Sequence, residues 1–358
     1  MRRLALALFL ALWAACTLVG CGGAEKSEVP AEPAPVVEPE PIPQPEPEPY
    51  VPAGTNPLTG EPMEPEYESL RPVAVMLNNL KAAQPQLGIS QADIIYEVTA
   101  EGGITRMVGI YQTLDGVELL GSIRSTRPYY IELALSHDAL LVHAGGSQEA
   151  YANIRSWGVE NMDGVRGTDD AEIFWRDADR RRNNGYEHSL VTSGEKIQTY
   201  INGHFSAKHQ NGYQNPQTFT EDGTPAGGEV AEHVSLRFSG YKTAVFDYDA
   251  ANGRYLVSQY ETAHIDAANG EQVAAVNLLV LETNISVLDS EGRQRVRTTG
   301  EGSGTFFCGG RAVPIRWSRE DRNQPFAYTL ENGSPLVLGE GKSYVCIISP
   351  KVSTLSFQ

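Results

Sequence analysis

Apolar positions along this chain fall into two regimes that change near its middle. In the first, short continuous apolar runs alternate with stretches of helical spacing. Pro72–Leu77, Ala92–Val98 and Thr105–Tyr111 read as buried strands, with Ala100-Glu101-Gly102-Gly103 turning between the last two. Helices are expected at about 128–136, 148–156 and 193–202. Pro128 suits a first helical position, where its missing N–H does no harm, and Thr192-Ser193-Gly194-Glu195 has a capping pattern. Ala139–Ala144 is a further buried strand that ends in Gly145-Gly146-Ser147. Strands alternating with helices argue an α/β domain whose sheet is covered by helices.

Beyond residue 230 the spacing changes to short alternating strands separated by Asn-Gly and Gly-Gly turns, as at Asn252-Gly253, Gly309-Gly310 and Asn332-Gly333. That pattern reads as a mostly antiparallel β domain. Ser343–Ile348 is expected to close it, and Gly300–Gly304 to be a turn between strands. The fold class is therefore α+β overall. Residues 55–205 form the α/β domain, 206–229 a polar, Gly- and Asn-rich connection, and 230–350 the β domain.

The ends add a location. Residues 1–20 have a charged start, an apolar core and Leu18-Val19-Gly20 before Cys21, the pattern of a bacterial lipoprotein signal with Cys21 as the acylated residue. Residues 22–54 carry seven Glu, ten Pro and few bulky aliphatics. With Cys21 they are expected to be a disordered tether, reaching on the order of 100 Å at about 3.1 Å per residue. The chain is thus expected outside the cytoplasm, lipid-anchored to the cell membrane. Its formal net charge of −17 argues against nucleic acid as a partner.

Candidate chemistry gathers between Gly121 and Tyr151. Arg124-Ser125-Thr126-Arg127 presents two guanidiniums where a loop enters a helix, a place that favours an anion. His143 and Gly145-Gly146-Ser147 lie at the carboxyl end of a strand, where open α/β sheets meet ligands. Arg106 belongs to the same binding set. Glu97 and Glu101 are four apart, and on one face would form a carboxylate pair suited to glycan cleavage, with His143 or His188 as a base; they also suit neutralising Arg106, Arg124 and Arg127. Arg176 and Arg180–Arg182, beside Phe174 and Trp175, form a basic aromatic patch. His264-Ile265-Asp266 reads first as a loop-fixing pair. His204 and His209 lack a third ligand, so no metal and no cofactor is expected. Cys308 and Cys346 permit one disulfide, worth roughly 3–4 kcal/mol, and equally two buried thiols.

RPVAVMLNN at 71–79, GISQADIIYEV and EGGITR at 88–106, GSIRSTRPYYIEL at 121–133, VHAGGSQEAY at 142–151 and FWRDADRR with EHS at 174–189 together resemble the YerB-like bacterial lipoprotein family. Glu187-His188-Ser189 departs from that family's Pro-His-Asn but keeps the imidazole. The resemblance spans nearly everything past the tether and implies a lipoprotein leader, an α/β domain and a β-rich domain, without an activity. Three function classes follow. The first is binding of a cell-envelope glycan or anionic ligand in the Arg-lined cleft, with peptidoglycan as the polymer. The second is a peptidoglycan hydrolase or lyase using Glu97 or Glu101 with a histidine. The third is a non-catalytic scaffold for wall-synthesis proteins.

Overall fold

The computed structural model describes residues 52–167, 170–209 and 212–358. The signal, Cys21 and nearly all of the tether lie outside the described residues. The apolar runs at 72–77, 92–98 and 105–111 become strands Val73–Asn78, Ile94–Thr99 and Thr105–Tyr111, buried along their whole length. Continuous Val/Ile/Leu runs are what a sheet covered on both faces requires. The expected helices appear at Pro128–Leu135, Gln148–Trp157 and Gly194–His204. Ser147 and Ser193 cap the latter two through their side-chain oxygens.

The main sheet has eleven strands and runs through both halves of the chain. On one side Ile94–Thr99 pairs antiparallel with Thr105–Tyr111, which pairs with Val73–Asn78; Leu140–His143 and Asn161–Asp163 follow in parallel. On the other side Ser343–Ile348 pairs parallel with both Ile94–Thr99 and Asn277–Glu282. Instead of closing a sheet of the second half, this strand is the seam between the halves. All six of its residues are buried, as its apolar sequence demands in a central position.

Strand alternation then divides the core in two. One face carries Val75, Leu77, Ile95, Leu278, Val280, Phe307, Tyr344 and Cys346, packed against a second sheet of six strands that contributes Leu236, Phe246, Tyr255 and Val257. The opposite face carries Met76, Tyr96, Val108, Leu279, Phe306, Cys308 and Val345, with the helices at Pro128–Leu135 and Gln148–Trp157 over its first half.

Two expectations change here. Gly300–Cys308 is a nine-residue strand paired with Arg311–Arg319, so the glycine-rich stretch is not a turn. Gly302 is required because a Cβ there would come within 2.5 Å of the Trp317 indole nitrogen. Cys308 and Cys346 are both free and buried, and they belong to opposite faces of one sheet. A bridge would have to pass through the backbone layer, so the disulfide is excluded by geometry.

Candidate functional site

Strand Leu140–His143 lies between two parallel neighbours, and its carboxyl end carries Ala144, Gly145 and Gly146 to the wall of a cavity. Gly145 adopts φ 80°, a left-handed conformation that favours glycine. Its N–H donates to Asp163 Oδ1 at 2.8 Å. The same oxygen accepts from Val165 N at 3.0 Å, and Oδ2 accepts from the Tyr151 hydroxyl at 2.8 Å. Asp163 thereby ties two loops and one helix around the strand end. Burial, then Asp163 itself, raises the Tyr151 phenol pKa, so the ring stays neutral. The segment Ile123–Thr126 runs alongside, with Thr126 N bonded to Gly145 O and Ala144 N to Arg124 O.

These elements frame a cavity of about 370 Å³. Its ionic lining is Arg124, Arg166, Arg176 and Glu187. The Arg166 guanidinium lies 3.9 Å above the Tyr151 ring, and that of Arg176 lies 4.0 Å above Tyr186. Arg176 Nη1 also donates to Tyr186 O at 2.8 Å. Each cation sits over an aromatic face. Arg124 Nη2 reaches Glu187 Oε2 at 3.0 Å, while its Nε has no hydrogen-bond partner. Among the described residues, three cations thus line the cavity with one exposed carboxylate.

The candidate residues divide. Arg124, Ser125, Gly145 and Gly146 line this cavity, with the Ser125 hydroxyl donating to Ala144 O at 2.9 Å. Ser147 does not line it; its oxygen caps the following helix by accepting from Ala150 N at 3.1 Å. Arg106 and Arg127 are also elsewhere, both turned to Glu101. Burial alone would raise the Glu101 carboxyl, but the Arg127 hydrogen bond and the charges of Arg106 and Arg127 outweigh it and hold it below the usual range.

The carboxylate pair does not form. Glu97 is fully buried and accepts from Asn79, Thr105 and Tyr344 while facing Lys242. The strand ends at Thr99, and a short 3₁₀ turn carries Glu101 to its two arginines instead. His143 is likewise no accessible base. It is wholly buried, with Nδ1 2.9 Å from Gly145 O and Nε2 3.0 Å from Asn161 Oδ1. His188 is half-buried beside the cavity, its Nδ1 2.8 Å from Asn78 Nδ2. Burial, then the charge of Arg124, lowers its pKa.

Of the basic patch, Arg176 enters the cavity, whereas Arg180 is buried and donates to the carbonyls of Ala83, Pro85 and His188. Arg182 pairs with Asp179. Asp266 accepts from the N–H groups of Gly88 and Ser90 at 2.8 Å each, and His264 Nε2 meets Gln86, so this pair fixes loops. Arg166 escaped notice in the sequence because an isolated arginine between Val165 and Gly167 carries no pattern; only the fold sets it over Tyr151. A larger depression of about 530 Å³ lies between 113–118 and 193–202, but its charged side chains are the acids Asp115, Glu118 and Glu195.

A family model described as the N-terminal domain of a protein of unknown function, DUF3048, matches residues 58–209, and its C-terminal counterpart matches 234–345. The chain is 30% identical over 299 residues to a Bacillus subtilis protein named "Putative lipoprotein YerB", covering 82% of this chain and 85% of that one. The crystal structure of YerB protein from Bacillus subtilis matches with a TM-score of 0.73 at 27% identity, across 84% of this chain and 99% of that chain.

Proposed function

Because the chain belongs to the two-domain DUF3048 family, and a Bacillus subtilis relative bears a lipoprotein name, we propose that it is an extracytoplasmic lipoprotein anchored through Cys21. Its N-terminal half holds an anionic part of a cell-envelope polymer in the arginine-lined cavity. The observation that carries this reading is the charge imbalance at the site: among the described residues that line it, Arg124, Arg166 and Arg176 stand with one acid, Glu187, on a chain whose formal net charge is −17. A protein this acidic repels polyanions over most of its surface, so a local cationic hollow selects where one can settle. Two guanidiniums placed over tyrosine rings keep their N–H forks for bidentate contact with a carboxylate or phosphate. The unpartnered Nε of Arg124 supplies a further donor.

The ligand class is a carboxylate- or phosphate-bearing wall polymer, with peptidoglycan and its acidic stems as the first choice. A hydrolase or lyase reading needs Glu97 or Glu101 beside an accessible histidine; Glu97 and His143 are wholly buried, and Glu101 is bound to Arg106 and Arg127, so neither carboxylate lends it support. The test is retention of the detergent-solubilised full chain on purified peptidoglycan, wild type against Arg124→Ala/Arg176→Ala. Loss of two charge-assisted contacts is expected to weaken retention at least about tenfold. Equal retention of both proteins, or none by the wild type, overturns the assignment.

A further inference from the structure

Away from the cavity, a second cluster of reactive groups lies where the two halves of the chain meet. Lys242, from the loop between strands His233–Arg237 and Thr243–Asp249, is 1% exposed; Glu97 and Asn79 are 0% exposed. Lys242 and Asn79 converge on one oxygen of Glu97. Lys242 Nζ lies 3.1 Å from Glu97 Oε1, and Asn79 Nδ2 lies 2.9 Å from the same Oε1. Lys242 Nζ forms no hydrogen bond, only this ionic contact. The rings of Tyr260 and Phe238 stand 5.4 and 5.8 Å from it and keep water away. On the other side, Asn79 Oδ1 accepts a hydrogen bond from Gln84 Nε2 at 3.1 Å, which draws electron density from the amide carbon.

An amine, a polarised carboxamide and a carboxylate touching both, sealed from solvent, are the parts needed for amide exchange within a protein. We infer that Lys242 and Asn79 become joined by an isopeptide bond, with Glu97 carrying the protons. The Lys242 ammonium passes one proton to Glu97, and the freed amine adds to Asn79 Cγ. The tetrahedral carbon forms with its oxygen held by Gln84. The added nitrogen gives a second proton to Nδ2, the Cγ–Nδ2 bond breaks, and ammonia leaves. That ammonia takes back the proton held by Glu97 and departs as ammonium, so the carboxylate is regenerated. One C–N bond forms, one C–N bond breaks, charge is conserved and nothing is oxidised. Burial supplies the proximity and fixed orientation whose absence makes the uncatalysed exchange slow in water.

The link would tie the residue after strand Val73–Asn78 to the second sheet, independently of what the arginine cavity binds. Its test is the mass of the full chain, denatured, digested with trypsin and examined by mass spectrometry. The expected result is one branched species, the Asn79 peptide joined to the Lys242 peptide and lighter by one ammonia, with no cleavage after Lys242. On a denaturing gel the wild type should run ahead of Lys242→Arg and Glu97→Gln, both of which should give only linear peptides. Linear Asn79 and Lys242 peptides of unaltered mass from the wild type overturn the inference. That comparison needs no variant, so it stands even where a substitution prevents folding.

Discussion

Glu101 Oε2 lies 3.2 Å from Arg106 Nη2, and the other oxygen of the same carboxylate is bonded to Arg127 Nε. One acid therefore neutralises two mostly buried guanidiniums at the start of helix Pro128–Leu135. Changing Glu101→Gln leaves both cations unmatched, and breaking such a pair from one side is costly. With Glu101 about one-fifth exposed, the expected loss is about 2–4 kcal/mol in urea unfolding at pH 7, below the full cost of a buried pair. Because its pKa is lowered, the stabilisation is present above the unfolded carboxylate value and fades as pH falls through the folded one. Retention on peptidoglycan should be unaffected under conditions where the variant is folded.

Among the described residues, Glu187 is the one acid lining the arginine cavity, and it competes with any anion for Arg124. Glu187→Gln should therefore strengthen binding of a polyanion, in contrast to the arginine variants. An exposed pair is worth up to about 1 kcal/mol, which is about fivefold in affinity. The same change should lower the His188 pKa further, since Glu187 opposes the depression caused by burial and Arg124. Titration by NMR, alongside binding measured at two salt concentrations, checks both effects. Unchanged or weakened binding would count against the cavity.

Much of the first half was legible because its strands are buried on both faces and need no partner to be recognised. Val73–Asn78, Ile94–Thr99 and Thr105–Tyr111 lie within two residues of where the apolar runs place them. The position of Ser343–Ile348 was not legible. Its apolar run says that it is buried, yet nothing local says that it pairs with Ile94–Thr99, far away in sequence. The same limit applied to the site. Arg124 and Gly145 sit in one supersecondary unit and could be grouped by reading along the chain. Which carboxylate each arginine meets depends on the direction the chain takes after Thr99, and Arg127 and Arg106 go to Glu101 for that reason.

Cys308 and Cys346 face opposite sides of the main sheet. The protein purified without reductant should therefore yield both thiols to an alkylating reagent in denaturant. In the folded state alkylation should be slow. Burial pushes the Cys308 thiol up to about 11, and burial likewise raises Cys346. Replacing Cys346 by Ala should cost about 1–2 kcal/mol of packing, short of the roughly 3–4 kcal/mol that a lost bridge would remove. A protein that gives no thiol until reduced would contradict the arrangement.

His137 and His264 link the core to acid sensitivity. Both are buried, and burial lowers each to about 3, helped by Arg319 beside His137. His137 Nε2 meets the Tyr96 hydroxyl and His264 Nε2 meets Gln86, while the Nδ1 of each ring has no hydrogen-bond partner and so nowhere to place a second proton. In the unfolded chain both titrate near 6.5. Between about 6.5 and 3 the unfolded state binds more protons, so stability falls with falling pH, by about 1.4 kcal/mol per unit for each histidine. Asp93 acts in the opposite sense. Burial raises it to about 6, against hydrogen bonds from Gln112 and Asn56, so between about 6 and 4 the folded state holds the extra proton. Two histidines outweigh one carboxyl, and unfolding free energies at pH 7, 5.5 and 4.5 should decline. Replacing His264 with Asn should flatten that decline, and replacing Asp93 with Asn should steepen it below pH 6. A wild type that keeps its stability down to pH 4.5 would mean that neither imidazole is sealed from water.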